Sequence, residues 1–181
     1  LTNMQEHFEE FKANNLIEMP SGVKMLDLKA YNEQITKYEK IRAQIQELPS
    51  PVDMGWIRIS TQPIKSELIK WSSRWIDLFT TYLKTTLDEK LSNLEVFMGE
   101  VHKGLDHAVS EDDSDNSKKD LMLVMNDIRK VRIANDSTKE MFGPLQDIIN
   151  TLKSHGTDLT GLNKINGMVP QDYLDEAPVS W

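Results

Sequence analysis

The sequence predicts an all-α fold, an elongated antiparallel bundle of three to four helices in which two very long helices form a hairpin. Three observations carry this. Apolar residues recur at helical spacing over most of the 181 residues. Charged residues make up 28% against 39% apolar, the balance of a helical chain with a large solvated surface. Two long apolar stripes, one on each side of the acidic stretch Ser110–Ser117, have a length suited to a rod rather than a globule.

The first helix is expected over residues 1–18, with Met4, Phe8 and Phe11 on one face, broken by Pro20, Ser21 and Gly22. The second runs from about Asp27 to Leu48. Its stripe is Leu28, Tyr31, Ile35, Tyr38, Ile41, Ile45 and Leu48, with Asp27 as N-cap and Pro49-Ser50-Pro51 as the stop. Residues 54–60 alternate and are β-branched, which predicts an extended, strand-like connector.

The third helix is predicted from Gln62 to Val109, with Thr61 as N-cap and Pro63 in the tolerated first turn. Its seam opens with Ile64, Leu68, Trp71, Trp75, Leu78 and Tyr82. It resumes as Leu87, Leu91, Leu94, Met98, Val101, Leu105 and Ala108. Between the halves the line slips through Trp75, Phe79, Leu83, Leu87 and Leu91 in steps of four, which relaxes a left-handed supercoil locally.

Residues 110–117, SEDDSDNS, read as a solvated turn between antiparallel helices. A fourth helix then starts near Lys118, with Leu121, Val124, Ile128, Val131, Asn135, Thr138, Phe142, Leu145, Ile149 and Leu152 as its seam. Pro144 removes a backbone donor, so a kink is expected there, and His155-Gly156 forms the C-terminal exit. The domain reading follows. Residues 1–52 hold two shorter helices, 53–156 the long hairpin, and 157–181 an irregular exit.

Several functions are disfavoured by composition. A net charge of −8 argues against a nucleic-acid binder and gives no attraction to anionic lipid. The absence of cysteine excludes disulfides and thiolate zinc sites. The longest apolar run, Leu121–Met125, is far short of the ~20 residues of a membrane span. The opening LTNMQEHFEEFK is polar and acidic, unlike a signal peptide, and the chain reads as a fragment of something longer.

No catalytic or ligand-binding motif in the sequence is complete. Gly99 and Gly104 have the separation of a phosphate loop, but Leu105-Asp106 stand where lysine and a hydroxyl are needed. Asp113, Asp115 and Ser117 imitate a calcium loop whose required glycine is Lys118 and whose required glutamate is Val124. His102, Asp106 and His107 cluster on a charged face, a pattern commoner on solvated helices than at metals. No glutamate precedes a histidine by three, as a di-iron bundle needs. The sequon Asn135-Asp136-Ser137 lies mid-helix. Trp71 and Trp75 are one turn apart on the seam, a spacing commoner for core than for a ligand-stacking pair. No catalytic residue, metal, cofactor or nucleotide site is expected, only a structural seam.

Five segments in order carry a resemblance: GWIRISTQPIKSELIKW at 55–71, WIDLFTTYL at 75–83, LMLVMNDIRKVR at 121–132, TKEMFGPLQDIINTLKSHG at 138–156 and YLDEAPVSW at 173–181. Together they resemble dynein heavy chains, and axonemal ones of the outer-arm β type most closely. The last is similar to the Leu-Glu-x-Leu-Pro-x-x-Trp word that opens the linker region. Gly143 stands where the family often has glutamate, and Ala177-Pro178 where it often has Leu-Pro. The resemblance implies the end of the stem of a ciliary microtubule motor, a lever and scaffold leading into the linker. It implies neighbouring segments of the same heavy chain, intermediate chains or another heavy chain as partners, with ATP chemistry in a distant ring. A spectrin-like spacer unrelated to motors is the alternative.

Overall fold

The computed structural model describes residues 2–18, 24–109 and 142–159, with isolated positions at 122, 125, 126, 129 and 172. The described residues are mostly helical. Helix α1 spans Thr2–Asn14, α2 Leu28–Glu47 and α3 Gln62–Val109, and residues 142–154 are helical as well. The chain divides into two compact units, residues 1–82 and 83–181, and α3 passes from one to the other.

The all-α expectation needs one correction, because two short antiparallel hairpins interrupt the helices. Strands β1 (Leu16–Glu18) and β2 (Lys24–Leu26) pair with Leu16 opposite Leu26. The first helix therefore stops at Asn14, before its expected end at residue 18. Asparagine is a weak helix former, and Asn15 closes the helix by donating its side-chain amide to the Phe11 carbonyl at 2.8 Å. The Asn15 carbonyl then accepts the Asp27 N–H at 3.1 Å, extending the ladder to the start of α2.

The connector at 54–60 is the second hairpin, built from β3 (Val52–Met54) and β4 (Ile57–Ile59). Met54 pairs with Ile57, which leaves Gly55-Trp56 as a two-residue loop. Gly55 has φ +66°, the sign that primed hairpin turns demand and that glycine adopts without a Cβ penalty. Asp53 and Arg58, opposite each other in the register, form a two-point ion pair at 2.7 and 3.1 Å.

Helix α2 begins as its sequence predicts. The Asp27 side chain accepts the N–H groups of Lys29 and Ala30, satisfying two donors that the helix cannot. Tyr31, Ile35 and Ile45 on its stripe are buried. Rings of α2 meet rings of α3 in reversed order, Tyr31 at Phe79 and Tyr82 and Tyr38 at Trp71 and Trp75. The pair α2–α3 is thus an antiparallel hairpin, and α1 adds Phe8 and Phe11 to the same core.

Only one arm of the predicted long hairpin is described. Helix α3 is 48 residues long, as expected. The acidic loop 110–117 lies outside the described residues, as do Leu121, Val124, Ile128 and Val131 and most of the second arm. Among the described residues no helix is long and apolar enough to cross a membrane.

Candidate functional site, an aromatic core and a helix-end clamp

The buried line along α3 is Ser72, Trp75, Phe79, Leu83, Leu87, Leu91, Leu94 and Met98. From Trp75 to Leu91 it advances in steps of four. On a regular helix each such step turns the line by about 40°, so the seam winds around α3 rather than running straight along it. Its expected opening is not covered: Ile64 is 66% exposed and Leu68 42%. Trp71 stands at the open edge, 46% exposed while still meeting Tyr38 and Trp75.

In the first unit, eight aromatic side chains from three helices form one cluster. Phe8 and Phe11 of α1 meet the Phe79 ring edge-on, with centroids 5.3 Å away in both cases. Tyr38 lies parallel to Trp75 at 5.3 Å, and Tyr31 stacks on Tyr82 at 5.8 Å. Edge-on and offset arrangements put positive ring edges on negative faces, which adds to the gain from burial. The Lys12 ammonium sits 5.3 Å from the Phe8 centroid and 4.9 Å from that of Tyr82, within cation–π range. Glu9 holds it at 2.7 Å.

Among the described residues, the Tyr31 hydroxyl and the Trp75 indole N–H have no hydrogen-bond partner. Burial pushes the pKa of Tyr31 well above the ordinary tyrosine value, and the Tyr82 hydroxyl beside it adds to the rise. Tyr38 is raised by burial too.

Two polar residues sit in this core, although the spacing of the sequence marks only Asn135 and Thr138 as polar positions on a seam. Ser72 and Thr80 are buried. Ser72 donates to the Ile69 carbonyl at 2.9 Å and Thr80 to that of Ile76 at 2.9 Å, so each hydroxyl is satisfied by its own helix. Back-bonding of this kind makes Ser or Thr tolerable on a buried stripe, and residue spacing alone does not mark it.

A second missed feature joins the ends of α2 and α3. Lys65 Nζ donates to the carbonyls of Gln46 at 2.7 Å and Leu48 at 2.6 Å. Thr61 occupies the expected N-cap position, its carbonyl accepting the Lys65 N–H at 3.0 Å. Its hydroxyl instead reaches the Pro49 carbonyl at 3.1 Å.

In the second unit the buried side chains include Leu83, Leu87, Leu91, Leu94 and Met98 of α3, and Leu145, Ile148, Ile149, Leu152 and Leu159. Phe142 and Pro144 are half-buried, and the helical run 142–154 continues through Pro144 without a break. It ends at Gly156, φ +64°. The Thr157 N–H reaches the Leu152 carbonyl and the Gly156 N–H that of Lys153, each at 3.0 Å, the paired bonds of a Schellman motif.

The segment Gly99 to Gly104 is α-helical, so it does not form a phosphate-binding loop. The side chains of His102, Asp106 and His107, the calcium-like stretch from Asp113 and the sequon at Asn135 lie outside the described residues. Among the described residues no group of three or more potential ligands converges on a metal position.

No protein-family model matches the chain, and no solved structure matches it. Curated relatives do. The chain is 31% identical over 133 residues to dynein axonemal heavy chain 17 of Homo sapiens, an alignment covering 73% of it and 3% of that protein. The mouse counterpart is 32% identical over 158 residues, covering 85% of this chain and 3% of the relative. The dynein beta chain of the flagellar outer arm of Chlamydomonas reinhardtii is 24% identical over 206 residues, covering 99% of the chain and 4% of the relative. The chain therefore spans only a few hundredths of the length of the relatives it matches.

Proposed function

We propose that this chain, whose homologues are axonemal dynein heavy chains, is a stem segment of such a heavy chain and works mechanically. It transmits force between an anchored tail and the linker of an ATP-driven motor whose catalytic ring lies outside this sequence. The observation that supports this most is α3. Its 48 residues reach roughly 72 Å at the ordinary helical rise. A buried line from Trp75 to Met98 gives the middle half of that length lateral support.

A helix resists bending when side chains lock it to neighbours, and the aromatic cluster supplies such locking near one end of α3. In this reading residues 1–52 brace the long helix, 53–156 form the load-bearing hairpin, and 157–181 lead into the linker. The seam of Leu121, Val124, Ile128 and Val131 would continue the stripe that Leu145, Ile149 and Leu152 occupy. The axonemal and ciliary names of the relatives support a place in the cytoskeleton of a cilium or flagellum. Partners would be other segments of the heavy chain, intermediate chains or a second heavy chain.

The test is a pull-down of the tagged, folded chain from ciliary extract, with bound proteins identified by mass spectrometry. Recovery of dynein heavy or intermediate chains is expected. A folded chain that retains no dynein subunit above background would overturn the reading.

A further inference from the structure

The last carbonyls of any α-helix lack intrahelical donors, and a cation near them is favourable. Helix α2 has no basic residue in its own last turn, and its C-cap contributes one backbone bond, from the Leu48 N–H to the Ile45 carbonyl. The remaining help comes from the first turn of α3 and the residue before it. Lys65 and Thr61 together place three hydrogen bonds on the carbonyls of Gln46, Leu48 and Pro49.

The polypeptide between them has little hold of its own. Strand β4 is exposed at every position, and Trp56 at the tip of the hairpin is 94% exposed. Its charged residues meet each other, Asp53 with Arg58, rather than either helix. At this corner α2 and α3 are joined by the Lys65 ammonium and the Thr61 hydroxyl, beside the fourteen residues, 48–61, that link them covalently.

We propose that Lys65 is a latch that makes the α2–α3 corner a rigid joint, and that removing its positive charge turns the corner into a hinge. This rests on the geometry of the corner alone and holds whether or not the chain belongs to a motor. Acylation by a thioester, in which deprotonated Nζ forms an amide bond as the C–S bond breaks and the thiol leaves, would remove the charge and work the same change.

The chain contains no cysteine, so introduced pairs label cleanly. One spin-label pair, Ala43→Cys with Gln62→Cys, spans the latch, and a second, Glu33→Cys with Asp77→Cys, reports the far part of the same helix pair. In the full chain, Lys65→Met should roughly double the width of the near distance distribution and leave the far one unchanged, as local opening requires. Lys65→Arg, which keeps a charged donor, should stay narrow. A near distribution in Lys65→Met as narrow as in the parent, or equal widening of both pairs, overturns the proposal. Should Lys65→Met fail to fold, nitrogen-detected NMR of the unaltered chain decides. Ammonium protons of Lys65 should exchange with water more slowly than those of the exposed Lys29 and Lys40, and equal rates overturn the latch.

Discussion

Tyr38 of α2 lies parallel to Trp75 of α3, with ring planes 2° apart and centroids separated by 5.3 Å. Together with Tyr31 against Phe79 and Tyr82, and Tyr38 against Trp71, this contact sets the register of the antiparallel pair. Sliding α2 by one residue would turn Tyr38 off the Trp75 face by about 100°.

Truncating the centre of this cluster should be expensive. Trp75 is buried, and Trp75→Ala should cost about 3–5 kcal/mol of unfolding free energy in chemical denaturation. Tyr38→Ala in the same background should then cost less than it does alone, since the pair shares one contact. A loss below about 1 kcal/mol for Trp75→Ala would remove that residue from the core.

Exposure, not residue size, should rank substitutions along 55–95. Leu87 is fully buried, so Leu87→Ala should cost about 2–5 kcal/mol. Trp56 is larger yet open to solvent at the hairpin tip, and Trp56→Ala should stay within about 0.5 kcal/mol. Equal melting temperatures for the two variants would contradict this placement of the seam.

Two glycines with open space around them should respond in opposite directions. An added Cβ meets nothing within 4 Å at either Gly99 or Gly156. Gly99 is inside α3, so Gly99→Ala should raise stability by up to ~1 kcal/mol through helix propensity. Gly156 has φ +64°, and Gly156→Ala should lower stability by about 1–2 kcal/mol through left-handed backbone strain. Thermal unfolding of the two variants checks both signs.

Alkaline pH should weaken the first unit. Burial raises the Tyr31 pKa above its unfolded value near 10. The folded chain therefore keeps a proton that the unfolded chain gives up, and stability from this group is complete below pH 10 and falls as pH rises beyond it. Tyr31→Phe should flatten part of that decline while changing little at neutral pH, because the buried hydroxyl it removes has no partner among the described residues. An unchanged slope above pH 10 would show that Tyr31 does not titrate as described.

Local rules were legible in the sequence. Asp27 before a periodic run, Gly156 after one, and the steps of four from Trp75 to Leu91 each act within a few residues of chain, so spacing alone predicts them. The strand at Leu16–Glu18 was not legible, because it pairs with Lys24–Leu26 and a helical pattern over residues 1–18 says nothing of that partner. The same limit explains Ile64, Leu68 and Trp71. Periodicity marks a face as apolar, but whether a neighbour covers it depends on where α1 and α2 lay their rings. Lys65 is the clearest case. As a sequence feature it is one cation among 21, and it acquires a role only when folding brings the end of α2 within 2.7 Å of its ammonium. The extents of α2 and α3 and the caps at Asp27 and Gly156 were thus determined by the sequence itself, since those interactions span a turn or two of backbone. Coverage of the seam and the joining of helix ends were decided by the tertiary structure, since they require groups some seventeen or more residues apart to meet.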